Sequence, residues 1–170
     1  MTTKTNKPRF WDKPFNSPFE SGLRSLIILT EAYPEEFDLQ RLLYYSYMIV
    51  HTSDISGGPE SIHPMTPHRS GELLVRREIV KNGILLMQLK GLIEQQNRKD
   101  GILYKATDLS IQFLDSISSS YFDSLRNRAA WIVQRFSKYQ DNLLREFVQN
   151  HLDKWGAEFE HESLVREVPE

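Results

Sequence analysis

The sequence has no cysteine in 170 residues. That excludes a disulfide framework, a thiolate metal site and a cysteine nucleophile together, and it fits a reducing compartment. Long apolar runs are also missing, and nothing approaches the ~20 residues a helix needs to cross a bilayer. The first ten residues are polar and basic with no apolar stretch behind them, unlike a secretory signal. A cytoplasmic protein with no membrane contact is therefore expected. The GxxxxGKS/T phosphate loop, HExxH and GxSxG are absent too, so neither an independent ATPase nor a serine hydrolase is expected. Gly57-Gly58 is too short to act as a nucleotide cradle. The sequence reads as a non-enzyme without a cofactor.

Net charge is also scarce, since 21 basic against 23 acidic residues leave -2. The balance is uneven along the chain. Residues 1–68 carry 6 basic and 8 acidic side chains, residues 69–138 carry 12 and 7, and residues 139–170 carry 3 and 8. The middle has some power to attract polyanions and the end would repel them. Acidic residues scattered through the basic stretch favour solvated helix faces over a dedicated nucleic-acid site.

What is present reads in order. Residues 1–16 form a basic, proline-containing arm in which Phe10, Trp11 and Phe15 are large enough to call for a docking surface. Ser17-Pro18-Phe19-Glu20 spells a helix start, with Ser17 as cap and Glu20 completing a capping box. The helix carries Leu23, Leu26, Ile27 and Thr30, and Tyr33-Pro34 ends it. Asp38 caps a second helix, from Leu39 to Val50, apolar nearly all round and so buried on most sides. Residues 51–71 are long, proline-rich and aperiodic, as functional loops are. From Glu72 a third helix runs through Ile79, Val80, Gly83, Ile84 and Met87 to a stop at Gly91, with Glu72 to Val75 open to being a short strand instead.

Two strands, 92–96 and 102–106, flank a turn in which Asp100-Gly101 supplies the positive backbone angle. Asp108 is read as the cap of the next helix. A longer one follows from Tyr121 through Phe136, and its spacing persists through Leu143, Phe147, His151 and Trp155. Helix, helix, helix, hairpin, helix is the order of a winged-helix domain. The expected fold class is mainly α, a winged-helix-like domain with a small β-hairpin wing and a C-terminal helical extension. Its parts are the arm 1–16, the core 17–107, the C-terminal helices 108–157 and an acidic tail 158–170.

Three constellations could carry function. His51, Asp54, His63 and His68 surround one loop, and imidazole with carboxylate can bind zinc or iron. Their spacings match no metal motif, and such residues in a turn-rich loop more often hold its shape by hydrogen bonds, so no metal is expected. Arg76, Arg77 and Lys81 lie on or just before the third helix, which in a winged helix often faces DNA, and Arg98 and Lys99 at the wing tip would add phosphate contacts. The competing reading pairs Arg76 or Arg77 with Glu72 or Glu78, or with an acidic partner protein. Trp131, Phe147, Trp155 and Phe159 suggest a core stripe. Trp155 and Phe159, close to the acidic end, are better candidates for a partner contact.

The run Tyr47-Met48-Ile49-Val50-His51-Thr52-Ser53-Asp54, continued by Gly57-Gly58-Pro59-Glu60-Ser61-Ile62-His63-Pro64 and Thr66-Pro67-His68-Arg69-Ser70-Gly71-Glu72-Leu73-Leu74-Val75-Arg76-Arg77, resembles the small middle-component subunits of bacterial ABC-three-component systems. Among these is the small subunit of Lamassu-type anti-phage defence. Tyr33-Pro34 to Leu43 and Gly83 to Ile93 fit the same family, and the resemblance covers roughly residues 17 to 136. It implies a non-catalytic accessory subunit that joins an SMC-like ABC ATPase to a nuclease-type effector and helps restrain it, with DNA reached through the complex. The expected partner-binding residues are His51, Asp54, His63, His68, Arg69, Glu72, Arg76, Arg77, Trp155 and Phe159. The alternative is a stand-alone winged-helix transcriptional regulator gripping DNA through Arg76, Arg77, Lys81, Arg98 and Lys99.

Overall fold

The computed structural model describes residues 17–63 and 72–151. Helix α1, Pro18–Glu31, begins where the sequence reading places it: Ser17 is extended and its Oγ accepts the Glu20 N–H at 3.2 Å. Leu26, Ile27, Ile28 and Leu29 have no exposed surface, which at ~1.5–3 kcal/mol per buried side chain makes α1 the central helix. The helix closes at Ala32, and the Tyr33–Pro34 peptide is cis.

A two-residue strand β1, Phe37–Asp38, precedes α2, Leu39–Met48. Asp38 caps α2 by accepting the Arg41 N–H at 2.7 Å, and every residue from Arg41 to Met48 is buried, matching the all-round apolar pattern. Helix α3 spans Glu72–Leu89, so 72–75 open a helix and not a strand. Its end is a Schellman turn: Gly91 adopts φ 71, its N–H reaches Gln88 O, and the Leu92 N–H reaches Met87 O, both at 2.9 Å. Buried Leu92 and Met87 accompany the turn as its apolar pair.

Strands β2, Ile93–Arg98, and β3, Gly101–Ala106, form the expected hairpin, with Arg98 facing Gly101 across the turn. Gly101 carries φ 139, the geometry only glycine takes without strain. The hairpin is not alone. Phe37 and Asp38 pair with Tyr104 and Leu103, giving an antiparallel sheet in the order β1-β3-β2. A two-residue strand shows no alternation of its own, which is why sequence reading passes over it.

Helix α4, Asp108–Asp115, is capped by Thr107 and not by Asp108: the Thr107 N–H donates to Ser110 Oγ at 3.0 Å, while Ser110 donates to Leu92 O at 2.7 Å. Helix α5, Ser120–Phe136, is capped by Ser119. The long C-terminal helix is broken, since α6, Asp141–His151, is a separate element. Phe147 therefore does not extend a stripe from Trp131 but folds back, its ring 4.8 Å from that of Phe136. Leu144 and Val148 of α6 join one core with Leu26, Leu42, Val80 and Ile132. The molecule is mainly helical around a small three-stranded antiparallel sheet. Among the described residues no helix is long and apolar enough to cross a membrane.

Candidate interaction surface

The loop after α2 is closed on itself. The N–H groups of Ile62 and His63 both donate to Val50 O at 3.1 Å, so the chain returns to the point it left. Inside, Thr52 Oγ1 donates to Glu60 O at 3.2 Å and Ile55 is buried. Gly57 has φ 78, and a Cβ on Gly58 would strike the Thr52 carbonyl oxygen and lie 2.9 Å from that of Ile55. The glycine pair is there for turn geometry and close backbone approach.

Helix α5 fastens this loop from outside. Arg128 donates twice to Glu60 O, from Nε at 3.2 Å and Nη2 at 3.0 Å. His63 Nε2 lies 2.9 Å from Tyr121 Oη, and Tyr121 donates its proton to Glu20 Oε1 at 3.0 Å. The phenol has one proton, so His63 Nε2 must be the donor in the first contact, which fixes the neutral tautomer. Glu20 also lies 3.7 Å from Arg24, which is 3% exposed. Glu20 thus serves the seam between α1 and α5, a use the capping-box reading does not anticipate.

The electrostatics match this assignment. Burial, reinforced by the Arg24 and Arg76 charges, lowers the His63 pKa to about 4, so the ring is neutral near pH 7. Burial and the Glu20 carboxylate raise that of Tyr121, which keeps its proton. Burial lowers that of Arg24, with Glu20 opposing. His51 is 5% exposed, and its ring lies against that of Tyr47 at a 34° tilt, 4.2 Å between centroids.

Of the residues expected to bind a partner, His51 and His63 are thus drawn inward, their rings 6.3 Å apart. Asp54 ends the short 3-10 turn Thr52–Asp54. Glu72 opens α3, while His68, Arg69, Trp155 and Phe159 lie outside the described residues, as do the arm aromatics Phe10, Trp11 and Phe15. Among the described residues no group of three or more His, Cys, Asp or Glu side chains could hold a metal ion.

The cationic residues divide in two. Arg76 lies 5.3 Å over the Tyr47 ring and Arg77 donates to Gln40 Oε1 at 2.8 Å, so both reach back onto α2. Arg98 grips Glu36 with contacts of 2.9 to 3.3 Å. Lys81 and Lys99 remain exposed. On α3, Gly83 faces α1, and the opposite face carries Glu78, Lys81, Asn82, Leu85 and Leu89. Leu85 and Leu89 are 52% and 77% exposed, a pair one helical turn apart.

Sequence reasoning missed Glu20, Arg24, Tyr121 and Arg128. Arg24 carried a usable signal: a lone cation inside the apolar run of α1 has to be paired. The others are defined by contacts between positions 58 to 101 residues apart, which no local pattern announces.

The fold and this seam define a small, mainly helical protein whose central polar groups tie a loop to two helices. The chain belongs to the family described as ABC-three component (ABC-3C) system Middle Component 2, whose model matches residues 14–158. No curated protein and no solved structure matches it.

Proposed function

We propose that this protein is the non-catalytic accessory subunit of a Lamassu-type anti-phage complex in the bacterial cytoplasm. It joins an SMC-like ABC ATPase to a nuclease-type effector and helps hold the effector in check. The observation that carries this reading is the family match, which spans every described element. Membership in a multi-component ABC system requires protein partners.

The core from α1 to β3 is, on this reading, a winged helix. The order α1-β1-α2-α3-β2-β3 and the strand order β1-β3-β2 support it, with the hairpin as wing. The outward face of α3 then meets a partner. Leu85 and Leu89 on that face suit an apolar protein surface better than phosphates. A stand-alone DNA-binding regulator draws less support, because Arg76, Arg77 and Arg98 are engaged with Tyr47, Gln40 and Glu36.

The test is co-expression with an SMC-like ATPase and a nuclease encoded beside it. A stable complex on gel filtration is expected. Separate elution of all three proteins, each folded, would sink the proposal.

A further inference from the structure

Nothing in the local sequence compels the break between α5 and α6. Residues 137–140 are Ser-Lys-Tyr-Gln, with neither proline nor glycine, and Ser137 keeps helical angles, φ -54 and ψ -32. The apolar spacing of Ala129, Ile132 and Phe136 continues through Leu143 and Phe147. Residues 120–151 hold neither glycine nor proline, so propensity allows one uninterrupted helix.

The break is held from outside by Arg41 of α2. Its Nη2 donates to Tyr139 O at 2.5 Å and to Asp141 Oδ1 at 2.9 Å, its Nε donates to the same carboxylate oxygen at 3.1 Å, and its Nη1 donates to Tyr45 Oη at 3.1 Å. In a continuous helix the Tyr139 carbonyl would accept an N–H from four residues on, so Arg41 competes directly for it. The two ends of this clasp differ in access, because the Arg41 side chain is 10% exposed and that of Asp141 75%. Beyond the clasp, α6 rests on the core through one face, Leu144, Phe147 and Val148. Beside it lies a pocket of about 130 Å³ lined by Gln40, Tyr44 and Arg145 among others.

We propose that α6 is a hinged latch, clasped to the core by Arg41 and able to swing out by running on from α5 as a single helix. Swinging out uncovers Phe136 and exposes Leu144, Phe147 and Val148, which the closed form packs into the core. The inference stands on this geometry and is independent of which complex the protein serves.

The absence of cysteine makes the test direct. In the 170-residue chain, Gln40→Cys on α2 and Arg145→Cys on α6 place spin labels on the two helices that line the pocket, and pulsed dipolar spectroscopy reads their separation. In the run-on state position 145 stands ~13 Å beyond the end of α5, so closed and open forms differ clearly. The closed distance should dominate, and Asp141→Ala should raise the open population about tenfold, the worth of one charge-assisted contact. Adding Lys138→Gly, which disfavours the run-on helix, should reverse that rise. If Asp141→Ala unfolds the core by far-UV circular dichroism, Asp141→Asn reads the same distance with the volume kept. A distance that stays closed in the folded variant overturns the latch. So does an open population indifferent to Lys138→Gly, or one seen only at high protein concentration, which would mean exchange of α6 between copies.

Discussion

Gly22 and Gly83 meet backbone to backbone where α1 crosses α3: a Cβ built on Gly22 would lie 2.5 Å from the Gly83 carbonyl oxygen, and one on Gly83 would strike the Gly22 nitrogen and the Pro18 carbonyl oxygen. Neither obstacle is a flexible side chain, so a methyl group at either site must push two helices apart. Gly83→Ala should gain up to ~1 kcal/mol in helix propensity and lose more to overpacking, for a net destabilisation of ~1–3 kcal/mol by urea unfolding. Gly22→Ala should cost a similar amount. The double variant should cost less than the sum, because the first methyl group already parts the helices.

The neutral His63 predicts acid sensitivity with a definite sign. Its pKa falls from an ordinary 6.5 to about 4 on folding, so between those values the unfolded chain binds the extra proton and the folded one does not. The stability it contributes is complete above about pH 6.5 and is lost as pH falls through about 4. His63→Gln keeps an N–H donor for Tyr121 Oη and removes the titration. Melting temperature against pH should therefore be flatter between pH 6.5 and 4 in this variant than in the parent, and parallel slopes would count against the assignment.

The Arg98–Glu36 clasp ties the hairpin tip to the chain before β1, yet the Arg98 side chain is 56% exposed. Exposed pairs contribute little, so Arg98→Ala should leave the denaturation midpoint close to that of the parent. Lys99→Ala should do no more. A large drop in the denaturation midpoint would mean that this pair holds the hairpin to the fold more firmly than its exposure suggests.

The exposed leucines predict a separation of binding from folding. Leu85→Glu with Leu89→Glu should leave the melting temperature within a few degrees of the parent, since neither side chain is in the core. In the co-expression assay the same variant should lose its partner. Retained binding would move the interface off this face of α3.

How much of this was legible beforehand depends on where each feature draws its energy. The caps at Ser17 and Asp38, the stop at Gly91 and the turn at Gly101 could be read directly, because each satisfies backbone groups within a few residues. The all-round burial of α2 was equally plain from its composition. The Thr107 cap was missed by one position, since Thr107 and Asp108 both have capping side chains and contacts to Gly91 and Leu92 decide between them.

The sequence alone determined the helical order, the hairpin and the family, because these rest on periodicity, local hydrogen bonding and a long contiguous motif. Tertiary structure alone decided three things. It paired β1 with β3, it turned His63 inward onto Tyr121, and it broke the last helix at residues 137–140. Each joins groups dozens of residues apart, where a buried donor or charge must find its partner in space. The absence of cysteine, plain from composition, means that these joins are made by packing and hydrogen bonds.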